Sequence, residues 1–190
     1  MNLTWLNAPP RWSEDGNGLH VTTGDHTDFW CRTHYGFIRD TGHFRYAMAT
    51  GDFTASVTVS AAYRHLYDQA GLMVRVNAEN WLKTGIEFTD GAAHFCTVVT
   101  RDGYSDWSQF KLPETAGTAL EVRITRHAEA LRVQYRPSGG AWTAARLAML
   151  AMGESVAVGM MCCTPEREGL EVIFRDFTVG AAISRDLHTP

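Results

Sequence analysis

Apolar and polar residues take turns along most of this chain, and that period of two constrains its fold more than any other feature. Phe53, Ala55, Val57, Val59 and Ala61 alternate with Thr54, Ser56, Thr58 and Ser60. The pattern returns in Leu72, Val74, Val76; in Leu82, Thr84, Ile86, Phe88; in Leu120, Val122, Ile124; in Leu131, Val133, Tyr135; and from Val156 to Met161. Successive side chains of a strand point to opposite faces, so these runs read as half-buried strands, and helical spacing hardly occurs. Only Ala144 to Met152 has a helical composition. Turn signals separate the runs: Asp15-Gly16-Asn17-Gly18, Asn77 to Asn80, Asp90-Gly91, Asp102-Gly103 and Ser138-Gly139-Gly140. Such residues accept the positive φ of tight hairpins. Ten or more short strands punctuated in this way predict an all-β fold, a two-sheet antiparallel sandwich.

At 190 residues the chain suits one domain, expected over residues 1–181, with a loosely held tail over 182–190. With 45% apolar residues, nine Phe, six Trp and six Tyr, it can build a full core. A net charge of -4 is the wrong sign for a chain that neutralises phosphates, so nucleic acid is not expected as a partner. No apolar run reaches the roughly 18 residues of a membrane helix, and Met1 to Trp12 lacks the basic start and apolar stretch of a secretory signal. Cys31, Cys96, Cys162 and Cys163 show no C-x-x-C spacing, and the eight histidines show no zinc spacing. Free thiols in that number suit a reducing compartment, so the expected location is cytoplasmic. No cofactor motif stands out, and Ser13-Glu14-Asp15-Gly16-Asn17 reads as a hairpin turn rather than a calcium loop. No metal and no cofactor are expected.

Hydrophobic register assigns the faces of three central strands. If Leu72, Val74, Leu82, Ile86, Phe95 and Val99 point inward, the opposite face carries Arg75, Trp81, Lys83, Glu87 and His94. An odd-length loop across Asn77 to Asn80 sets Arg75 near Lys83, and a type I′ turn at Asp90-Gly91 sets Glu87 against His94 and Lys83 against Val98. That face is either solvated, with ordinary cross-strand charge pairs, or a groove in which aromatic rings cover a sugar and charged groups fix its hydroxyls. Trp81 on a polar face favours the groove. Two aromatic-rich segments are candidate rims. One runs from Asp28 to Phe44 and includes Trp30, His34 and Tyr35; the other is Tyr104 to Ser108, with Asp106 and Trp107.

The blocks Asp28-Phe29-Trp30 with Thr33 to Phe37, Tyr67 to Arg75, Trp81 to Glu87, and Tyr104 to Ser108 resemble the family of unknown function that includes the regulation-of-enolase protein of yeast. The resemblance implies a jelly roll of the concanavalin A-like lectin and glucanase superfamily, with one concave sheet face. It implies no settled activity, only a regulatory link to carbon metabolism in one member. Hydrolases of that superfamily commonly carry two carboxylates on one strand, about 5 to 9.5 Å apart. Here Lys83 stands where one acid would be, leaving Glu87 as the acid/base, with Asp68 or Asp106 as a possible second carboxylate. The leading expectation is a non-catalytic protein that binds a carbohydrate or small anionic ligand on the concave face. Arg75 and Lys83 tilt the choice toward an anion. The alternatives are a protein-interaction module and a glycoside hydrolase-like enzyme.

Overall fold

The computed structural model of the chain describes residues 2–113 and 119–188. Among these residues lie sixteen strands, β1 to β16 in chain order, and no helix long and apolar enough to cross a membrane. Two seven-stranded antiparallel sheets form the sandwich. The first runs β1 (Thr4–Leu6), β6 (His43–Thr50), β15 (Ser155–Cys163), β8 (Gln69–Asn77), β9 (Asn80–Thr89), β10 (Ala92–Arg101) and β11 (Tyr104–Lys111). The second runs β14 (Thr143–Met149), β13 (Ala130–Pro137), β12 (Ala119–His127), β7 (Phe53–Ala61), β16 (Glu171–Ala181), β3 (Gly18–Thr22) and β2 (Arg11–Asp15). A separate two-stranded ribbon pairs β4 (Phe29–Cys31) with β5 (Ile38–Asp40). The all-β sandwich expected from the alternation is the observed fold.

The inward faces of the two sheets supply the main core. Val57, Val59, Val122, Ile124 and Val133 of the second sheet pack against Leu72, Val74, Leu82, Ile86, Phe95 and Val158 of the first. These are the apolar members of the alternating runs, and taking them out of water drives the two sheets together. The turns behave as their sequences require. Asp90 and Gly91 have φ of 52° and 73°, and Asp102 and Gly103 have 50° and 74°, the double positive φ of a type I′ hairpin. The first turn sets Glu87 opposite His94 and Lys83 opposite Val98, the expected register.

Three expectations need correction. A bulge between Arg75 and Asn77 keeps Arg75 on the outer face but sets it opposite Trp81, leaving Met73 opposite Lys83. Ala144 to Met152, despite its helical composition, contributes most of edge strand β14, because pairing with β13 overrides weak local propensity. The tail is not loose over its described part. The Ile183 amide donates to Thr54 Oγ1 at 3.0 Å, and Arg132 donates to the carbonyls of Asp186 and Leu187 at 2.9 and 3.1 Å. Residues 189–190 of that tail lie outside the described residues.

Candidate ligand-binding site

The outer face of the first sheet is not open. The segment from Asp28 to Thr41 folds across it through the β4–β5 ribbon and buries a second apolar cluster: Phe29 and Cys31 of the ribbon against Phe44, Met73, Trp81, Val98, Met161 and Cys163 of the sheet. The ribbon is pinned at both ends. The amides of Thr41 and Gly42 both donate to the Asp28 carbonyl at 2.9 Å, and the Cys31 amide donates to Ser105 Oγ of β11, also at 2.9 Å. Trp81, expected as an exposed ligand contact, is 1% exposed. Its ring lies 6.1 Å from that of Phe29 and its indole N–H donates to the Ala78 carbonyl, so it anchors the ribbon. Gly71 and Gly85, paired across β8 and β9, let the sheet close tightly behind it. A Cβ on Gly85, whose φ is 155°, would stand 2.7 Å from the Gly71 Cα.

Between ribbon and sheet remains a cavity of about 180 Å³. Lys83, Glu87, Gln69 and Val98 form its floor, Asp28, Trp30, Tyr35, Phe37 and Arg39 one wall, and Tyr67, Trp107, Pro165 and Glu166 the rest. Strand geometry makes the floor: Lys83 and Glu87 are four residues apart on one face of β9, with Gln69 opposite Glu87 and Val98 opposite Lys83. The wall is a stack of rings. Tyr35 and Phe37 lie 5.3 Å apart with nearly parallel planes, and Trp30 meets Tyr35 edge-on at 5.8 Å. The Tyr35 and Tyr67 hydroxyls are 3.3 Å apart on the solvent side of the cavity, joining the ribbon to the segment ahead of β8.

Charge in the cavity is buried and unevenly matched. Lys83 Nζ lies 3.1 Å from Asp28 Oδ1, which also accepts the Phe29 amide at 2.7 Å. Burial disfavours the Lys83 ammonium, but Asp28, Cys163 and Glu87 outweigh it and hold its pKa above the ordinary lysine value. Glu87 is 4% exposed, and burial pushes its carboxyl up against the opposing pull of Lys83, the Cys96 thiol and the Trp107 indole. Cys96 donates to Glu87 Oε2 at 3.6 Å and accepts from Trp107 Nε1 at 3.1 Å. Glu87 Oε1 has no hydrogen-bond partner among the described residues. Burial also raises the thiols, Cys96 well above its ordinary value and Cys163 to about 12, so both stay protonated. The bond from Tyr35 is the chief reason that the Tyr67 phenol rises to about 12.

Of the residues expected at a site, Lys83, Glu87, Trp107, Trp30 and Tyr35 line this one cavity. The others lie elsewhere. Arg75 makes a two-pronged pair with Asp40, both contacts 2.8 Å, outside the cavity. The expectation of an anionic ligand rested on Arg75 and Lys83 as free cations, and each already faces a carboxylate of this chain. His94 is buried opposite Glu87 but lines no part of the cavity, with its Nδ1 3.1 Å from the Ala92 carbonyl. Asp106 is exposed beside Arg146 at 3.3 Å, and His34 packs edge-on against Tyr35 without reaching the lining. Asp68, the other candidate carboxylate, is fully buried and held by Arg167 at 2.9 and 2.6 Å. Sequence reasoning missed Asp28, Gln69, Tyr67 and Glu166. Gln69 was within reach, because the register opposes it to Glu87; Asp28 sat in a segment singled out for its irregularity. Among the described residues, no group of three or more His, Cys, Asp and Glu side chains is placed to hold a metal ion. A wider groove of about 610 Å³ lies on the outside of the second sheet, with Ser13, His20, Thr22, Ser60 and Glu171 among its lining residues. It is shallow and without a buried charge, as a solvated sheet face should be.

Comparison with known proteins agrees with this architecture. Regulation of enolase protein 1 of Saccharomyces cerevisiae is 41% identical over 187 residues, covering 97% of this chain and 92% of the yeast protein. A crystal structure of a functionally unknown protein from Saccharomyces cerevisiae superposes with a TM-score of 0.91 at 40% identity, covering 96% of this chain and 97% of that one. Two more distant structures share the fold alone. The GH43 protein BlXynB of Bacillus licheniformis matches at TM-score 0.70 and 16% identity, over 94% of this chain and 36% of its own. The carbohydrate binding module CBM66 of Bacillus subtilis matches at 0.61 and 10%, over 93% and 95%. Residues 5–182 match the family model described as protein of unknown function DUF1349, and with the yeast relative aligned over nearly its whole length, the chain belongs to that family.

Proposed function

We propose that this protein is a non-catalytic binding module that takes one small polyhydroxylated ligand, of the size of a single sugar ring, between the β4–β5 ribbon and the first sheet. The observation that carries the reading is the cavity itself, in which a polar floor of Lys83, Glu87 and Gln69 is surrounded by the rings of Trp30, Tyr35, Phe37, Tyr67 and Trp107. Sugar rings offer apolar C–H faces to aromatic rings and hydroxyls to fixed polar groups, which is the combination supplied here. The volume, well below the roughly 300 Å³ at which drug-sized pockets begin, restricts the ligand to about one ring. CBM66 is by name a carbohydrate binding module and has the same sandwich, which agrees with the reading at the level of fold.

A hydrolytic reading finds less support. Glycosidic cleavage needs two carboxylates free to act on the bond. Asp28 is engaged by Lys83 and the Phe29 amide, Asp68 by Arg167, Asp106 lies outside the cavity, and Glu166, the remaining carboxylate of the lining, is exposed to solvent. The name of the yeast relative assigns regulation of enolase to that protein. A site for a small metabolite would let a relative couple such regulation to sugar supply. The test is a thermal-shift screen against hexoses, pentoses and their acidic, phosphorylated and amino derivatives. A ligand of the folded state raises the melting temperature, and Trp107→Ala should abolish the rise. A flat screen at saturating sugar contradicts the proposal.

A further inference from the structure

We infer that the ligand of this cavity carries a protonated amino group, seated against Glu87 and faced by the surrounding aromatic rings. This rests on the binding reading above and narrows it from polyhydroxylated compounds in general to amino sugars. The argument is one of charge. The two bases of the lining are already committed within the chain: Lys83 to Asp28 at 3.1 Å, and Arg39 over the Phe37 ring at 5.0 Å with a hydrogen bond to the His26 carbonyl. The acids are not all so matched. Neither Glu87 nor Glu166 has a basic group within 4.0 Å among the described residues, although both line the cavity.

Glu87 is the sharper case, because its Oε1 is buried and unpartnered. A buried acceptor left without a donor is destabilising, and a ligand that brings one removes the penalty. A hydroxyl would satisfy the oxygen, but an ammonium does more. It supplies up to three donors, makes a charge-assisted bond, and is attracted to the negative faces of aromatic rings. Trp30, Tyr35, Phe37, Tyr67 and Trp107 provide five such rings on one lining. An anionic sugar would meet Glu87 and Glu166 with only Arg39, already held by the Phe37 ring and the His26 carbonyl, as a cation not paired with an acid.

The titratable groups facing Glu87 are Lys83 on its own strand, Cys96 and the opposed His94 on β10, Cys163 on β15, Asp28 ahead of β4, Tyr67 ahead of β8 and Glu166 of the same lining. The two thiols and the phenol are pushed upward and stay neutral near pH 7, and Lys83 stays charged. Burial raises the Glu87 carboxyl, and an arriving ammonium opposes that shift by favouring the charged form.

Isothermal titration of the intact chain tests the inference with glucosamine, galactosamine and mannosamine, each beside its parent hexose and its N-acetyl derivative, and with glucose 6-phosphate and choline. At a pH where the amines are protonated, at least one hexosamine should bind about tenfold or more tightly than its parent and N-acetyl forms. Glu87→Gln should close that gap. The comparison of amine, parent and N-acetyl forms on the unaltered chain is a readout that does not depend on the variant folding. Equal affinity for amine and parent sugar, or tighter binding of the phosphate, overturns the inference and leaves the sugar reading standing. Binding of choline without any sugar overturns the sugar reading and, because a quaternary nitrogen carries no N–H to give Glu87, the amino-group inference with it. Silence from every compound overturns both.

Discussion

The outward faces of the two sheets differ although both belong to one sandwich. On the second sheet, Thr54, Ser56, Thr58 and Ser60 of β7 are half-exposed and pair laterally, Ser56 with Thr178 at 2.9 Å and Thr54 with Thr125 at 3.0 Å. Its ion pairs, such as Arg136 with Glu121 at 2.6 Å, are reached by solvent. On the first sheet, the outward residues of β8, β9, β10 and β15 are buried almost without interruption, and the charges among them are sealed under the ribbon. A solvated face needs only polar side chains that satisfy one another. A covered face that also holds Lys83 and Glu87 keeps desolvated charge in the fold, an arrangement that costs stability. The second sheet also buries charge on its outer side, Arg123 against Trp142 and Arg132 under the C-terminal segment, so what marks the first sheet as the one that carries a site is that its buried charge lines a cavity.

The sharpest way to break this comparison is to remove one charge from each face. Lys83→Met should cost about 3–5 kcal/mol, because it leaves the Asp28 carboxylate buried without its cation, whereas Arg136→Met should cost less than about 1 kcal/mol. Urea unfolding midpoints measure both, and equal costs would mean that the ribbon does not seal the first face. A smaller effect is expected from glycine. Gly85→Ala forces a Cβ against the backbone of Ala70 and Gly71 at a positive φ and should cost about 1–3 kcal/mol, while Gly180→Ala, with nothing within 4 Å of the new Cβ, should change stability by less than about 1 kcal/mol. The third effect depends on pH. Because burial raises the Glu87 carboxyl, the unfolded chain ionises there before the native one does. Stability contributed by the neutral group is present below the ordinary carboxylate range and is lost as pH rises toward the raised native value. Relative to the parent, Glu87→Gln should therefore gain in unfolding midpoint as the solution goes from acid to neutral, and a constant difference would contradict the raised carboxyl.

How much of this was legible in the sequence follows from the same contrast. The alternation of β7 announces a half-solvated strand, and the Asp-Gly turns fix the register that brings Lys83, Glu87, Val98 and His94 onto one face. What pattern alone could not show was the cover. A period of two says that a strand has two faces, not what stands against the second. Trp81 was read as exposed because its neighbours on that face, Lys83 and Glu87, are charged; in the fold, Phe29 caps it and Asp28 neutralises Lys83 from 55 residues away in sequence. One signal was available and unused. Met160-Met161-Cys162-Cys163 of β15 is apolar at every position, without alternation, which marks a strand buried on both faces. The ribbon itself is short and turns through residues with positive φ at Arg32, His34 and Gly36, so no periodic pattern announces it.

Backbone amide shifts of isotopically labelled protein, titrated with hexoses and hexosamines, test the central claim most directly, because they report where a ligand sits and not only that it binds. The account predicts changes gathered on the ribbon from Asp28 to Arg39, on Tyr67 to Gln69, on Lys83 to Glu87 and around Trp107. Changes centred instead on the groove of the second sheet around His20 and Glu171, or none at saturating sugar, would contradict it.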